Sequence, residues 1–200
     1  MKRPALFFTA LLFAGSLQAA TLTYVDRATF EAALDPGYTL IDTSAYADGT
    51  PIGDTLPAAV TSFGAPSTIR AADGVLLNGQ GFYGTTTPNI GLNFSPGING
   101  VGGSSGEGDG GMIMIYSGLN GTGSLLGSAA YSVTFGGIIS SVDIGSVIFT
   151  CDFNFDLKCA LIDPTFGSST AVVPLPAALW LFATALLGLS GMAGRRTARE

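Results

Sequence analysis

Histidine is absent from this sequence, and its 200 residues include only two cysteines and one tryptophan. Each shortage removes chemistry. Without imidazole there is no Ser-His-Asp or Cys-His nucleophile, and no histidine-bearing zinc site. Two cysteines cannot make a four-thiolate metal centre. Basic residues are also scarce. Residues 20–172 carry 13 acidic side chains against three basic ones, Arg27, Arg70 and Lys158, a net charge of −10. That sign repels nucleic acid and anionic membrane surfaces, so neither is expected as a partner. One lysine in this stretch leaves a Ser-Lys pair possible, but no motif supports it. Thirteen carboxylates leave an acidic-pair glycosidase open, yet no spacing singles out a pair. No enzyme activity and no cofactor are expected.

Glycine is abundant, at 29 of 200 residues. Ser, Thr, Asn and Gly cluster between short apolar runs, the pattern of many short strands joined by turns. Strands are expected at 38–42, 59–63, 67–71, 74–78, 90–94, 112–116 and 130–135, and over 138–149 with a break near Gly145. The clearest alternation sets Tyr131, Val133 and Phe135 against Ser132 and Thr134. Gly136-Gly137 then reads as a hairpin turn. One amphipathic helix precedes most of these strands. Asp26 is a good N-cap, Phe30, Ala33 and Leu34 share a face, and Asp35-Pro36-Gly37 ends it. No internal repeat is found. The expected fold is mainly β, a jelly-roll-like β-sandwich with one short N-terminal helix.

The run 96–111, PGINGVGGSSGEGDGG, is half glycine. It has no lysine for a phosphate-binding loop, and no helix follows to complete a dinucleotide fingerprint. Gly106-Glu107-Gly108-Asp109 does not repeat as a calcium β-roll would. The run reads as a flexible surface loop, with Glu107 and Asp109 available to a weak calcium site.

Cys151 and Cys159 frame CDFNFDLKC. In an oxidising compartment this pair is expected to form a disulfide closing a hairpin. Asp152, Asn154 and Asp156 place oxygens at alternate positions, as calcium loops do. Leu157 and Lys158 then depart from that pattern, so the three are weak metal candidates beside a plain turn reading.

Both ends of the chain look like addresses. Lys2 and Arg3 precede the short apolar stretch 5–14, and small residues follow, so residues 1–19 read as a secretory signal peptide. Cleavage is expected after Ala19, with Ala20 the alternative; the Sec translocon and signal peptidase are the implied partners. At the other end stand Val173, Pro174, Leu175, Pro176 and Ala177, then an apolar run, then Arg195, Arg196 and Arg199. The segment 177–194 contains only Thr184 and Ser190 as polar residues. As a helix it would be roughly 27 Å long, close to the bilayer's hydrocarbon thickness. Pro174 and Pro176 mark its start. Trp180 suits the membrane interface, and the arginines resist translocation and stop transfer. A C-terminal transmembrane helix is therefore expected.

That order of proline motif, apolar helix and terminal arginines resembles the PEP-CTERM class of bacterial sorting tails, in the VPLPA-CTERM variant. The TLTYV strand before the DRATFEAAL helix is loosely similar to the N-terminus of many such proteins. The resemblance covers residues 173–200. It implies recognition of the tail by an exosortase, a membrane-embedded transpeptidase-like enzyme of Gram-negative bacteria that often make exopolysaccharide. Residues 1–19, 20–172 and 173–200 then read as signal, exported domain and sorting tail. The domain would be held at the inner membrane facing the periplasm, and pass to the cell surface or extracellular matrix. A surface or matrix protein is the expected function. The alternative is a carbohydrate-binding module associated with exopolysaccharide, with Tyr83 and Tyr116 as stacking candidates.

Overall fold

The computed structural model describes residues 19–47, 50–54, 56–64, 67–70, 75–78, 89–105, 111–151 and 160–171. The chain is mainly β, with two antiparallel sheets around a common core. Its strands are β1 (Thr21–Tyr24), β2 (Thr39–Leu40), β3 (Val60–Phe63), β4 (Ser67–Arg70), β5 (Val75–Asn78), β6 (Asn89–Phe94), β7 (Gly100–Ser105), β8 (Gly111–Tyr116), β9 (Leu125–Tyr131), β10 (Gly136–Ser140), β11 (Ser146–Cys151) and β12 (Ala160–Gly167). Among the described residues, one α-helix, α1 (Arg27–Ala33), follows β1. Among the described residues, no helix is long and apolar enough to cross a membrane. The expected span at 177–194 lies outside those residues.

The seven-stranded sheet runs β1-β10-β7-β12-β5-β4, with β2 also paired to β12. The five-stranded sheet runs β3-β6-β11-β8-β9. From β5 onward, every connection except β8–β9 passes from one sheet to the other. The two sheets therefore close over each other as the chain alternates between them. Ile90, Leu92, Ile113, Ile115, Val147 and Phe149 of one sheet meet Val101, Ile138, Leu161 and Phe166 of the other. Each such side chain, fully buried, contributes roughly 1.5–3 kcal/mol.

Helix α1 covers the outer face of the seven-stranded sheet. Asp26 caps it, accepting from Thr29 N (2.8 Å) and Thr29 Oγ1 (2.6 Å). Phe30 and Leu34 pack with Phe135 and Ile139 in a second cluster, as the helical spacing predicts. Arg27 pins the helix to the strands. Its guanidinium donates to Asp163 O (3.0 Å), Thr165 Oγ1 (2.8 Å) and Ser104 Oγ (3.3 Å). It also stands 4.9 Å from the centroid of the Phe135 ring, a cation–π distance. Asp163 sits where the β7–β12 register shifts; its φ of 46° turns its carbonyl toward this arginine.

Three expectations are corrected. Gly100–Ser105, inside the run read as a surface loop, is the buried strand β7 between β10 and β12. Glycine is needed there because large side chains press on both faces: a Cβ on Gly100 would lie 2.5 Å from Leu34 Cδ2, and one on Gly103 2.5 Å from Leu161 Cδ1. Gly136 and Gly137 are not a turn. They belong to β10 and pair with Gly103 and Gly102 of β7, while β9 lies in the other sheet. Nor do Cys151 and Cys159 flank a hairpin. β11 ends at Cys151 in the five-stranded sheet, and β12 begins at Ala160 in the seven-stranded one, so the segment between them is a crossover.

Candidate functional site

Strand alternation divides the five-stranded sheet into a core face and an outer face. Ile90, Leu92 and Phe94 of β6, Ile113 and Ile115 of β8, and Val147 and Phe149 of β11 point inward and are buried. Their neighbours, Asn93, Met112, Met114, Tyr116, Ile148 and Thr150, form the outer face, with Thr61 and Phe63 of β3 beside β6. None of these outward side chains is charged. Phe63 rests against Gly91, where an added Cβ would lie 2.7 Å from its ring. The missing side chain lets the ring sit close to the sheet while remaining partly exposed.

At one end of this face lies an open cleft of about 520 Å³. Four segments wall it: Ala58 and Ala59 ahead of β3, Ser95 and Pro96 after β6, Ser117 and Leu119 after β8, and Asp143 to Gly145 ahead of β11. Thr61 and Asn93 project into it from the sheet. Backbone bonds tie the walls together. Ser95 N donates to Ala59 O (2.9 Å), Phe94 N to Gly145 O (3.0 Å), and Gly145 N to Tyr116 O (2.8 Å). Side chains complete the frame. Asp143 Oδ2 accepts from Gly97 N at 2.9 Å. Asn93 Oδ1 accepts from Asn120 N (2.7 Å), and Asn93 Nδ2 donates to Asn120 Oδ1 (2.9 Å).

Asn120 is positioned by local chemistry. With φ values of 57° and 68°, Asn120-Gly121 turns β8 into β9, the left-handed pair that Asn-Gly adopts readily. Ser146 buttresses this loop by accepting from Gly121 N (2.9 Å) and donating to Gly118 O (2.5 Å). The result is a shaped polar recess with an amide, three hydroxyls and one carboxylate. Asp143 is the only charged side chain among its described lining residues. The cleft therefore offers hydrogen bonding, not the facing carboxylate pair used in glycoside cleavage.

No motif in the sequence marks Thr61, Asn93 or Asp143, because they come together only through the β3–β6–β11 pairing. Asn120-Gly121 does carry a turn signal in the sequence. Of the expected site residues, Tyr116 lies on the outer face of β8, half-buried, its hydroxyl donating to Met114 Sδ at 3.8 Å. Cys151 closes β11. Ala19 and Ala20 precede β1, and Ala20 N donates to Ser141 Oγ at 3.1 Å. Tyr83, Glu107, Asp109, Asp152, Asn154, Asp156, Cys159, Val173, Pro174, Leu175, Pro176, Ala177, Arg195, Arg196 and Arg199 lie outside the described residues. Among the described residues, no group of three or more acidic or sulfur ligands is placed to hold a metal ion. No family model, no curated protein and no solved structure matches this chain.

Proposed function

We propose that this chain is an exported, non-catalytic protein of the cell surface or extracellular matrix of a Gram-negative bacterium, delivered through a C-terminal sorting tail. One observation carries the reading: Val173 to Ala177, a long apolar run, and Arg195, Arg196 and Arg199 follow one another at the end of the sequence. The signal peptide directs the chain to the Sec translocon, and signal peptidase removes it. Residues 20–172 fold outside the cytoplasm as a jelly-roll-like β-sandwich. The helix at 177–194 arrests the chain in the inner membrane, with the arginines on the cytoplasmic side. Pro174 and Pro176 keep the motif extended at the outer interface, where an exosortase has access to its peptide bonds.

The end of the described domain suits this arrangement. Ser169 N donates to Asn99 Oδ1 (2.7 Å), and Thr170 Oγ1 donates to Asp35 Oδ1 (3.0 Å). The chain is thus tied to the domain three residues before Val173. A tail anchored in the bilayer would hold the domain close to the outer membrane–water interface, with little free linker.

The test is expression with and without an exosortase known to process other substrates, followed by mass measurement of the C-terminal fragment. Processing at or near Val173 to Ala177 is expected only when the enzyme is present, and Pro176→Ala should slow it. An intact tail beside an active exosortase would reduce residues 173–200 to a plain membrane anchor.

A further inference from the structure

We propose that the cleft between Asn93 and Asp143 is a binding site for a neutral saccharide. This site belongs to the folded domain alone and does not depend on processing of the tail.

Charge narrows the ligand first. Asp143 is the only charged group among the described lining residues, and residues 20–172 carry a net charge of −10. A uronate, phosphate or sulfate ligand would meet repulsion, with no cation among the described lining residues to offset it. One carboxylate, with an oxygen already engaged by Gly97 N, is too few ligands for a metal ion.

Hydrogen-bonding capacity points to hydroxyl groups. Thr61, Ser95 and Ser117 each carry a hydroxyl that both donates and accepts, and the Asp143 carboxylate accepts from several directions. A sugar presents neighbouring hydroxyls with the same dual capacity. A carboxylate is a stronger acceptor for them than a neutral oxygen.

The apolar parts fit the same ligand. Leu119, 55% exposed at the rim, covers a C–H surface without a polar partner. Phe63 shares the outer face of β3 with Thr61, about 7 Å further along the strand, and holds a partly exposed ring against Gly91. Aromatic rings stack on the C–H faces of pyranoses, so a second sugar unit extending from the cleft would reach it. The volume, about 520 Å³, falls in the range of small-molecule sites, roughly 300–1,000 Å³. Because hydrogen bonds already join the walls, ordering them on binding costs little.

The full-length protein in mild detergent can be titrated calorimetrically with short neutral gluco-, manno- and galacto-oligosaccharides, and with oligogalacturonate as the anionic counterpart. Saturable binding of at least one neutral series is expected, with weaker or no binding of the uronate. Asp143→Asn keeps the side chain's shape and an acceptor for Gly97 N. Thr61→Val and Leu119→Asp alter exposed positions outside the core. Each should weaken neutral-sugar binding about tenfold. The proposal is overturned by no binding in any neutral series, by preference for the uronate, or by affinity unchanged in all three variants.

Discussion

Phe135 occupies the space that a side chain on Gly102 would need: a Cβ there would lie 2.5 Å from Phe135 Cζ. Gly102 lies in β7, and Phe135 ends the crossover that leads into β10, the strand beside it. Their contact lets Phe135 reach Phe30 of the helix, ring centroids 5.3 Å apart, and lie beneath Arg27. Helix docking thus depends on a strand that lacks side chains where the helix needs room.

Gly102→Ala should therefore destabilise the protein by about 1–3 kcal/mol, the usual cost of overpacking. The β10 backbone is also close, with Gly136 O 3.0 Å from the added Cβ, so a shift of Phe135 alone would not relieve the crowding. Denaturant unfolding checks this. A midpoint equal to the parent's would mean that the helix and its rings shift freely on the sheet.

This same strand shows where the sequence is hard to read. Alternation is visible only when side chains differ, and Gly100, Gly102 and Gly103 display none. Their burial is dictated by Leu34, Phe135 and Leu161, which are distant in sequence. By contrast, α1 was legible because Asp26, Phe30 and Leu34 carry its cap and its face locally. Most strands with β-branched or aromatic residues were legible for the same reason. Tyr131, Val133 and Phe135 misled: Val133 is 52% exposed in a crossover, so alternation there marks a sheet change and not a strand. The cleft was invisible because Asn93 and Asp143 are joined by tertiary pairing alone.

Acid should weaken the helix cap. The Thr29 hydroxyl, and then the Thr29 amide, hold the Asp26 carboxyl below its ordinary pKa. A carboxyl lowered on folding stabilises the native state above its unfolded pKa, about 3.9, and that contribution is lost as pH falls through the folded value. Asp26→Asn retains an N-cap side chain but removes the titration. Thermal melts from neutral pH down to about pH 2 should show a shallower acid decline for Asp26→Asn than for the parent. Parallel curves would remove Asp26 from the acid response.

The crossover from β11 to β12 changes what a Cys151–Cys159 bond would do. It would restrain the passage between the two sheets instead of closing a hairpin tip. In the loop-entropy description, a closure of this length contributes a little under ~3 kcal/mol. Cys151→Ser should lower the melting temperature of protein recovered from an oxidising compartment and leave reduced protein unchanged. Two freely titrating thiols in the oxidised preparation would rule the bond out.

Signal-peptide cleavage can be tied to one pair of hydrogen bonds. Ala20 N donates to Ser141 Oγ (3.1 Å), and Ser141 N donates to Ala20 O (2.9 Å), fastening the start of β1 beside the end of β10. Cleavage after Ala19 turns Ala20 N into an ammonium, which still donates to Ser141 Oγ and retains both bonds. Cleavage after Ala20 removes both, exposing the β1 end to fraying. The two products therefore differ in stability as well as length. N-terminal sequencing of exported protein should return Ala20, and Ser141→Ala should increase amide exchange in β1 with little effect on the core strands. A mature terminus at Thr21, with β1 protected to the same degree, would show that this pair does not fasten the strand.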